Sequence, residues 1–311
     1  MNPLEHTEAF LELLAILVVS PFLLSVIVKT KAWFGGRLGP PWLQPYYDLH
    51  KLIQKEAVYS TATTWIFRAG PVVNLAALLT AATLVPVLSG RSLMGFSGDL
   101  ILFAYLLALG RMFTVLAALD TGSSFEGMGA SREVTFGAMA EPAMFLAFVA
   151  LSVTSQSLQL SDMLGSNLTG LWHTGGPAIV LIVGALFVVL LTETCRVPVD
   201  DPATHLELTM IHEVMVLDHS GPEFAYITYG ASFKFALLGS MLLHVALPHP
   251  EFLYLADAPL RLLELVGLAV LVGIVESVIA RLRMNRVPLL LVGSNVLSAL
   301  ALLLVLGRKL M

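Results

Sequence analysis

Residues 178–192 read AIVLIVGALFVVLLT, fifteen residues without a charge, and runs of this kind recur along the chain. A membrane-crossing helix needs about 20 mostly apolar residues, because hydrocarbon offers no partner to an open backbone. Eight segments meet that requirement, at roughly 9–28, 69–89, 99–119, 134–155, 177–195, 225–247, 260–280 and 287–306. The pattern predicts an all-α integral membrane protein, a bundle of eight transmembrane helices. Only 13% of the 311 residues are charged, against about 25% in a soluble domain. Without internal repeats or low-complexity stretches, residues 1–311 read as a single membrane domain. Its elaborate connections are 29–68 and 196–224.

The net charge of −5 argues against a nucleic-acid partner. Cys195 is the one cysteine. It has no partner for an internal disulfide, and alone it cannot hold an iron–sulfur cluster or structural zinc, each of which takes about four ligands. No catalytic residue or metal ligand set is assigned to this chain, and any redox metal is expected on a partner. The opening residues, MNPLEHTEAFLEL, lack the basic n-region of a secretory signal, so the first apolar run is expected to be a permanent span.

Lysine and arginine set the orientation. Lys29, Lys31, Arg37, Lys51, Lys55, Arg68, Arg132, Arg196, Arg281, Arg283 and Arg286 fall in odd-numbered connections, and Arg91, Arg261, Arg308 and Lys309 on the other side. Eleven against four places the odd connections in the cytoplasm and both termini outside, in a cytoplasmic (inner) membrane.

The first long connection holds GGRLGPPW and then PYYDLHKLIQKE. Tyr46, Leu49 and Ile53 share one helical face there, with Asp48, Lys51 and Lys55 on another. This predicts an amphipathic helix at the lipid interface, and equally a platform for a hydrophilic partner. In the second, Asp201-Pro202 reads as an N-cap followed by proline in the first turn. The expected helix, ATHLELTMIHEVMVLD, puts Leu208, Ile211 and Met215 on one face and His205 and His212 on another. HExxH spacing is absent, and helix capping with partner contact explains much of this segment.

Neither device explains the charges inside the apolar runs: Glu141, Glu193, Glu276, Arg111 and Lys234. A charge at the bilayer centre costs at least about 2.5–3.5 kcal/mol, so such residues face the bundle interior, where they pair or relay protons. Structural ion pairs between helices are one reading. A polar path for protons is the other, since burial brings a carboxylate toward the neutral range that proton exchange needs.

Three stretches carry a resemblance: RLGPPWLQPYYDLHKLIQKE, GASREVTFGAMAEP and ETCRVPVDDPATHLELTMIHEVMVLDHSGPEFA. They resemble the membrane subunit called subunit 1, or H, of proton-pumping NADH:quinone oxidoreductase, in the same order along nearly the whole chain. LDTGSSFEGMGASRE and the PVDD stretch look closer to the hydrogenase branch, which includes formate hydrogenlyase subunit 4 and hydrogenase-4 component C of energy-converting [NiFe]-hydrogenases. The quinone-reducing branch has an acidic PFDLxExExELVxGFxxEYSG pattern. Here its glutamates are reduced to Glu207 and Glu213.

The resemblance implies a membrane anchor that docks a hydrophilic arm and couples its redox chemistry to proton or ion translocation. The implied partners are a [NiFe]-hydrogenase-type large subunit, a small iron–sulfur subunit, a ferredoxin-like subunit and antiporter-like membrane subunits. The nickel–iron centre and the clusters would lie on those partners. By position, Glu141 and Glu193 correspond to the fourth- and fifth-span glutamates. Asp200, Glu207, Glu213 and Asp218 fall in the acidic cytoplasmic funnel, and Lys234, Glu276 and Arg111 complete the expected ion path. Glu126, Arg132 and Glu133 are expected to face the partner, together with Arg37, Asp48, Lys51 and Arg196. Two alternatives remain open at this point. One is an H-type subunit of a complex that lacks nickel or reduces quinone or sulfur compounds. The other is a stand-alone secondary transporter, although Pro21, Pro86 and Pro142 do not mark matching positions in two halves.

Overall fold

The structure is a computed structural model, and it describes residues 3–88, 92–165, 167–200, 210–249 and 254–309. Among these, helix is the only regular structure. The long helices are α1 (Pro3–Phe34), α3 (Trp65–Leu84), α4 (Asp99–Asp120), α5 (Ser124–Ser155), α7 (Asn167–Glu193), α9 (Gly221–Ala246), α10 (Tyr254–Val278) and α11 (Val287–Lys309). Shorter pieces are α2 (Gln44–Ile53), α6 (Leu160–Met163), α8 (His212–Met215) and a 3₁₀ turn at Met284–Arg286.

Seven of these helices are long and apolar enough to cross a membrane: α1, α3, α4, α5, α7, α10 and α11. The expected sixth span, 225–247, falls on α9, which is continuous but outside that set. The reason lies in its composition and position. Ser232, Lys234, Ser240 and His244 dilute its hydropathy, and α9 packs against α1, α2, α3, α7 and α10. With other helices around it, α9 does not need lipid-compatible side chains on every face.

Small residues bring neighbouring helices together. The Gly70 backbone of α3 lies against Ala117 of α4, where even a methyl group would collide. α5, α7 and α11 form a second packed group, and α10 lies along α1. The core runs between these groups through Phe103, Phe148, Phe233, Phe235, Leu265 and Leu237.

After α1 the chain reverses through Gly36 and Gly39, at φ of 64° and 67°, a region that glycine enters without strain. It then returns along α1. Lys29 donates to the Leu38 carbonyl at 2.9 Å, Trp42 stacks on Phe22 at 5.9 Å, and the Tyr46 hydroxyl donates to the Val18 carbonyl. α2 therefore lies beside the middle of α1. Tyr46 and Leu49 are half-buried as expected, but Ile53 is 58% exposed and Leu52 takes the packing position. Lys55 lies beyond the end of the helix.

The second long connection departs from the expected continuous helix. Asp201, Pro202, His205, Glu207 and Leu208 lie outside the described residues; among the described ones, Met210 and Ile211 are not helical and helix runs over His212–Met215. Asp200 Oδ2 accepts from the backbone N–H groups of Ile211 at 3.0 Å and His212 at 3.2 Å. That carboxylate ties the turn after α7 to the residues that open α8.

Candidate functional site: a charged cluster inside the bundle

Four helices each bring ionisable side chains to one place. Arg111 comes from the middle of α4, Glu133 and Glu141 from α5, Glu193 from the last residue of α7 and Lys234 from the middle of α9. The spacing of Glu133 and Glu141, eight residues or just over two turns, puts both on the same face of α5.

Arg111 is the hub. One guanidinium nitrogen donates to Glu141 Oε1 at 2.5 Å, another to Glu193 Oε1, and its Nε lies 3.6 Å from Glu133 Oε1. Lys234 Nζ reaches the other oxygen of Glu193 at 2.7 Å. The Glu193 carboxylate is thus held between two cations with its side chain only 3% exposed, whereas the Glu141 side chain is 36% exposed. Three carboxylates face two cations, so one negative charge is in excess when all are ionised.

Glu276 belongs to a different arrangement. Its buried carboxylate lies 2.9 Å from Lys31 Nζ and 3.3 Å from Arg196 Nη1, joining α10 to α1 and to the turn after α7. Asp200 pairs with Arg281 at 2.8 Å. The expected ion-path residues thus separate into an interior cluster of Arg111, Glu141, Glu193 and Lys234 and ion pairs at the end of the bundle. Glu213 is half-buried and Asp218 exposed, and neither joins the cluster. Glu207 lies outside the described residues.

The residues expected on a partner-facing surface also divide. Arg37, Asp48 and Lys51 are exposed, with Asp48 accepting from Gln44 at 2.8 Å. Glu126 is not on the surface. It is 1% exposed and accepts from the Asp218 backbone N–H at 3.3 Å, because the turn after α8 folds over it. Glu133 belongs to the interior cluster, and Arg196 is enclosed beside Glu276 with its guanidinium 6.0 Å from the centre of the Phe235 ring. Half-buried Arg132 donates to the Met210 carbonyl at 2.9 Å and so ties α5 to the second long connection.

A further polar group escapes sequence reasoning. Tyr59 donates to Glu223 at 2.7 Å, His219 lies 3.4 Å from the same carboxylate and stacks on Phe67 at 3.9 Å, and Ser220 Oγ accepts from the Val58 N–H. These contacts strap residues 58–59 to the start of α9. The hydrogen bond to Glu223 raises the Tyr59 pKa, and burial lowers that of His219. The sequence signal is weak, since the partners lie more than 160 positions apart. Burial, reinforced by Glu133, pushes the Cys195 thiol well above its ordinary value, which makes it a poor nucleophile. Among the described residues, no three His, Cys, Asp or Glu side chains converge as metal ligands would.

Fold and site together define a multi-pass helical membrane protein with an ionisable cluster enclosed between its helices. Residues 8–307 match the family described as NADH dehydrogenase, and the chain belongs to that family. Among curated proteins it is similar to hydrogenase-4 component C of Escherichia coli (strain K12), with 30% identity over 279 residues, covering 88% of this chain and 87% of that protein. It is also 29% identical over 284 residues to formate hydrogenlyase subunit 4 of the same strain, covering 89% and 91%. The H subunit of NADH-quinone oxidoreductase from Paraburkholderia phymatum is 27% identical over 216 residues, covering 63% and 59%. The resemblance read from the motifs is therefore borne out. In fold, the chain matches a chain of the membrane-bound sulfane sulfur reductase, an archaeal respiratory membrane complex. The TM-score is 0.81 at 19% identity, covering 96% and 98%.

Proposed function

We propose that this chain is the membrane anchor and coupling subunit of a multi-subunit hydrogenase-type respiratory complex. Its buried carboxylates link redox chemistry on a hydrophilic arm to proton or ion movement. The observation that carries this reading is the Arg111–Glu141–Glu193–Lys234 cluster, joined by Glu133, a costly arrangement with an uncompensated carboxylate inside an apolar bundle. Near full-length similarity to hydrogenase-4 component C and formate hydrogenlyase subunit 4 supports the hydrogenase-type assignment.

In this reading α9 is the eighth span, shielded from lipid by its neighbours, and α2 is an amphipathic helix at the lipid interface. The long connections face the cytoplasm, both termini lie outside, and the chain forms a single domain in the cytoplasmic membrane. Arg37, Asp48 and Lys51 offer a docking surface to the arm. The nickel–iron centre and iron–sulfur clusters reside on the large, small and ferredoxin-like partner subunits, and antiporter-like subunits adjoin in the membrane.

Glu141→Gln removes a titratable group while keeping its size. In complex reconstituted into vesicles it is expected to leave assembly intact and to slow or uncouple ion movement. Wild-type translocation in that variant removes Glu141 from the path. Nickel together with iron in the purified assembly is expected, and iron without nickel would replace the hydrogenase-type arm with another redox module.

A further inference from the structure

Two cavities meet at the charged cluster. The inner one, about 50 Å³, is lined by Asn74, Thr114, Thr194, His212 and Lys234. A cavity of this size holds a few waters, here among polar partners. The other, about 310 Å³, opens between α4 and α5 and is lined by Ala104, Tyr105, Met144, Phe145 and Glu141. Tyr105 is 71% and Phe145 42% exposed, so this second cavity faces the flank of the bundle. Arg111 and Glu193 are the residues common to both linings.

The position of the guanidinium depends on α5. A Cβ on Gly137 would stand 2.8 Å from Arg111 Cζ and closer still to Nη1. Gly137 lies one turn from both Glu133 and Glu141, so α5 presents a carboxylate, a gap and a carboxylate along one line. The guanidinium occupies the gap, where it donates toward Glu141 on one side and Glu193 on the other.

We propose that the Arg111 guanidinium is a gate between the inner and the flank cavity, and that Gly137 is the positioning residue that gives it room to close. This deepens the ion-path reading and rests on it. With the gate closed, both carboxylates share one cation and the cavities are separate. When the guanidinium draws toward Glu193, which Lys234 also holds, Glu141 loses its counter-charge in a low-dielectric site; water of the inner cavity then reaches it and passes it a proton that the medium replaces. The returning guanidinium displaces that proton. Each excursion binds and releases one proton, and no other bond changes.

Two natural methionines report on the two sides: Met215 lines the inner cavity and Met144 the flank cavity, and both are buried. Hydroxyl radicals made from water by X-ray radiolysis oxidise methionine where water reaches it, and mass spectrometry reads the sulfoxide. The whole complex in lipid nanodiscs is used. In the wild type, Met215 is expected to oxidise and Met144 to resist. In Gly137→Ala, which preserves every charge, Met144 oxidation is expected to rise severalfold with Met215 unchanged. Arg111→Lys, too short to span both carboxylates, is expected to do the same and serves if Gly137→Ala fails to assemble.

Equal Met144 oxidation in wild type and variants overturns the gate. So does a parallel rise at Met144 and Met215, which a general loosening of the bundle would produce. Ion movement measured on the same samples separates the two claims. Opened access to Met144 with normal translocation sustains the gate and removes the ion-path reading.

Discussion

The interior cluster and the ion pairs at the end of the bundle use the same residue types to opposite effect. At the rim, Glu276 alone faces two cations, Lys31 and Arg196, and its carboxylate is buried and fully compensated. In the interior, one arginine and one lysine serve Glu133, Glu141 and Glu193, and cavities lie against the cluster. A compensated pair holds helices together. An undercompensated cluster beside a cavity leaves one carboxylate without a cation of its own. Burial alone does not distinguish the two, since Glu193 and Glu276 are both enclosed.

The largest effect that tests this contrast is expected at the rim. Glu276→Gln leaves two cations facing a neutral amide. Breaking a buried pair costs about 3–5 kcal/mol, and partial exposure of Lys31 puts the expected loss at about 3 kcal/mol. Thermal unfolding of the purified complex reads it, and an unchanged midpoint would break the comparison. The strap is expected to respond to pH next. Its histidine faces the Glu223 and Asp218 carboxylates and the Phe67 ring, and burial holds its pKa below the ordinary value. The unfolded chain therefore binds the proton more readily. Stability is expected to fall as pH drops below about 6.5. His219→Phe, which keeps the stacking, is expected to flatten that part of the pH–stability curve, and an equal slope in both proteins would exclude His219 as its source.

A smaller change is expected at the start of α3. Thr64 caps this helix through the Ile66 N–H, while Asp120 accepts from the Thr64 and Phe67 backbone N–H groups. Thr64→Ala is expected to cost about 1 kcal/mol, as N-cap losses do, readable as increased hydrogen exchange in the first turn. The smallest effect is expected inside. Glu133→Gln removes the surplus charge at 3.6 Å from Arg111, so its stability cost is expected to be about 0.5 kcal/mol or less. A loss as large as that of Glu276→Gln would show that the interior cluster is as tightly compensated as the rim.

Much of the fold is legible in the chain itself. Uncharged runs of helical length dictate spans, because hydrocarbon leaves a backbone no other solution. The charges within those runs, Arg111, Glu141, Glu193 and Lys234, are conspicuous for what they cost, and the structure brings them together. Glu276 is equally conspicuous and belongs elsewhere. Its place in an apolar run marks it as interior, but only the approach of Lys31, 245 positions away, shows which cations it meets. Met210 and Ile211 mislead for a related reason: helical spacing is a local property, and the backbone N–H of Ile211 is taken up by the Asp200 carboxylate, eleven positions back.

The sequence by itself determined the membrane-spanning class, the positions of most spans, the family and the identity of the ionisable residues that must hide from lipid. Each of these follows from local chain chemistry or from motifs contiguous in the chain. Tertiary structure alone decided which carboxylate shares which cation, that Glu126 is covered, that Gly137 makes room for a guanidinium and that the strap joins residue 59 to residue 223. Those outcomes depend on distances between helices remote in sequence. The pattern within one helix records which face turns inward, but not what stands opposite.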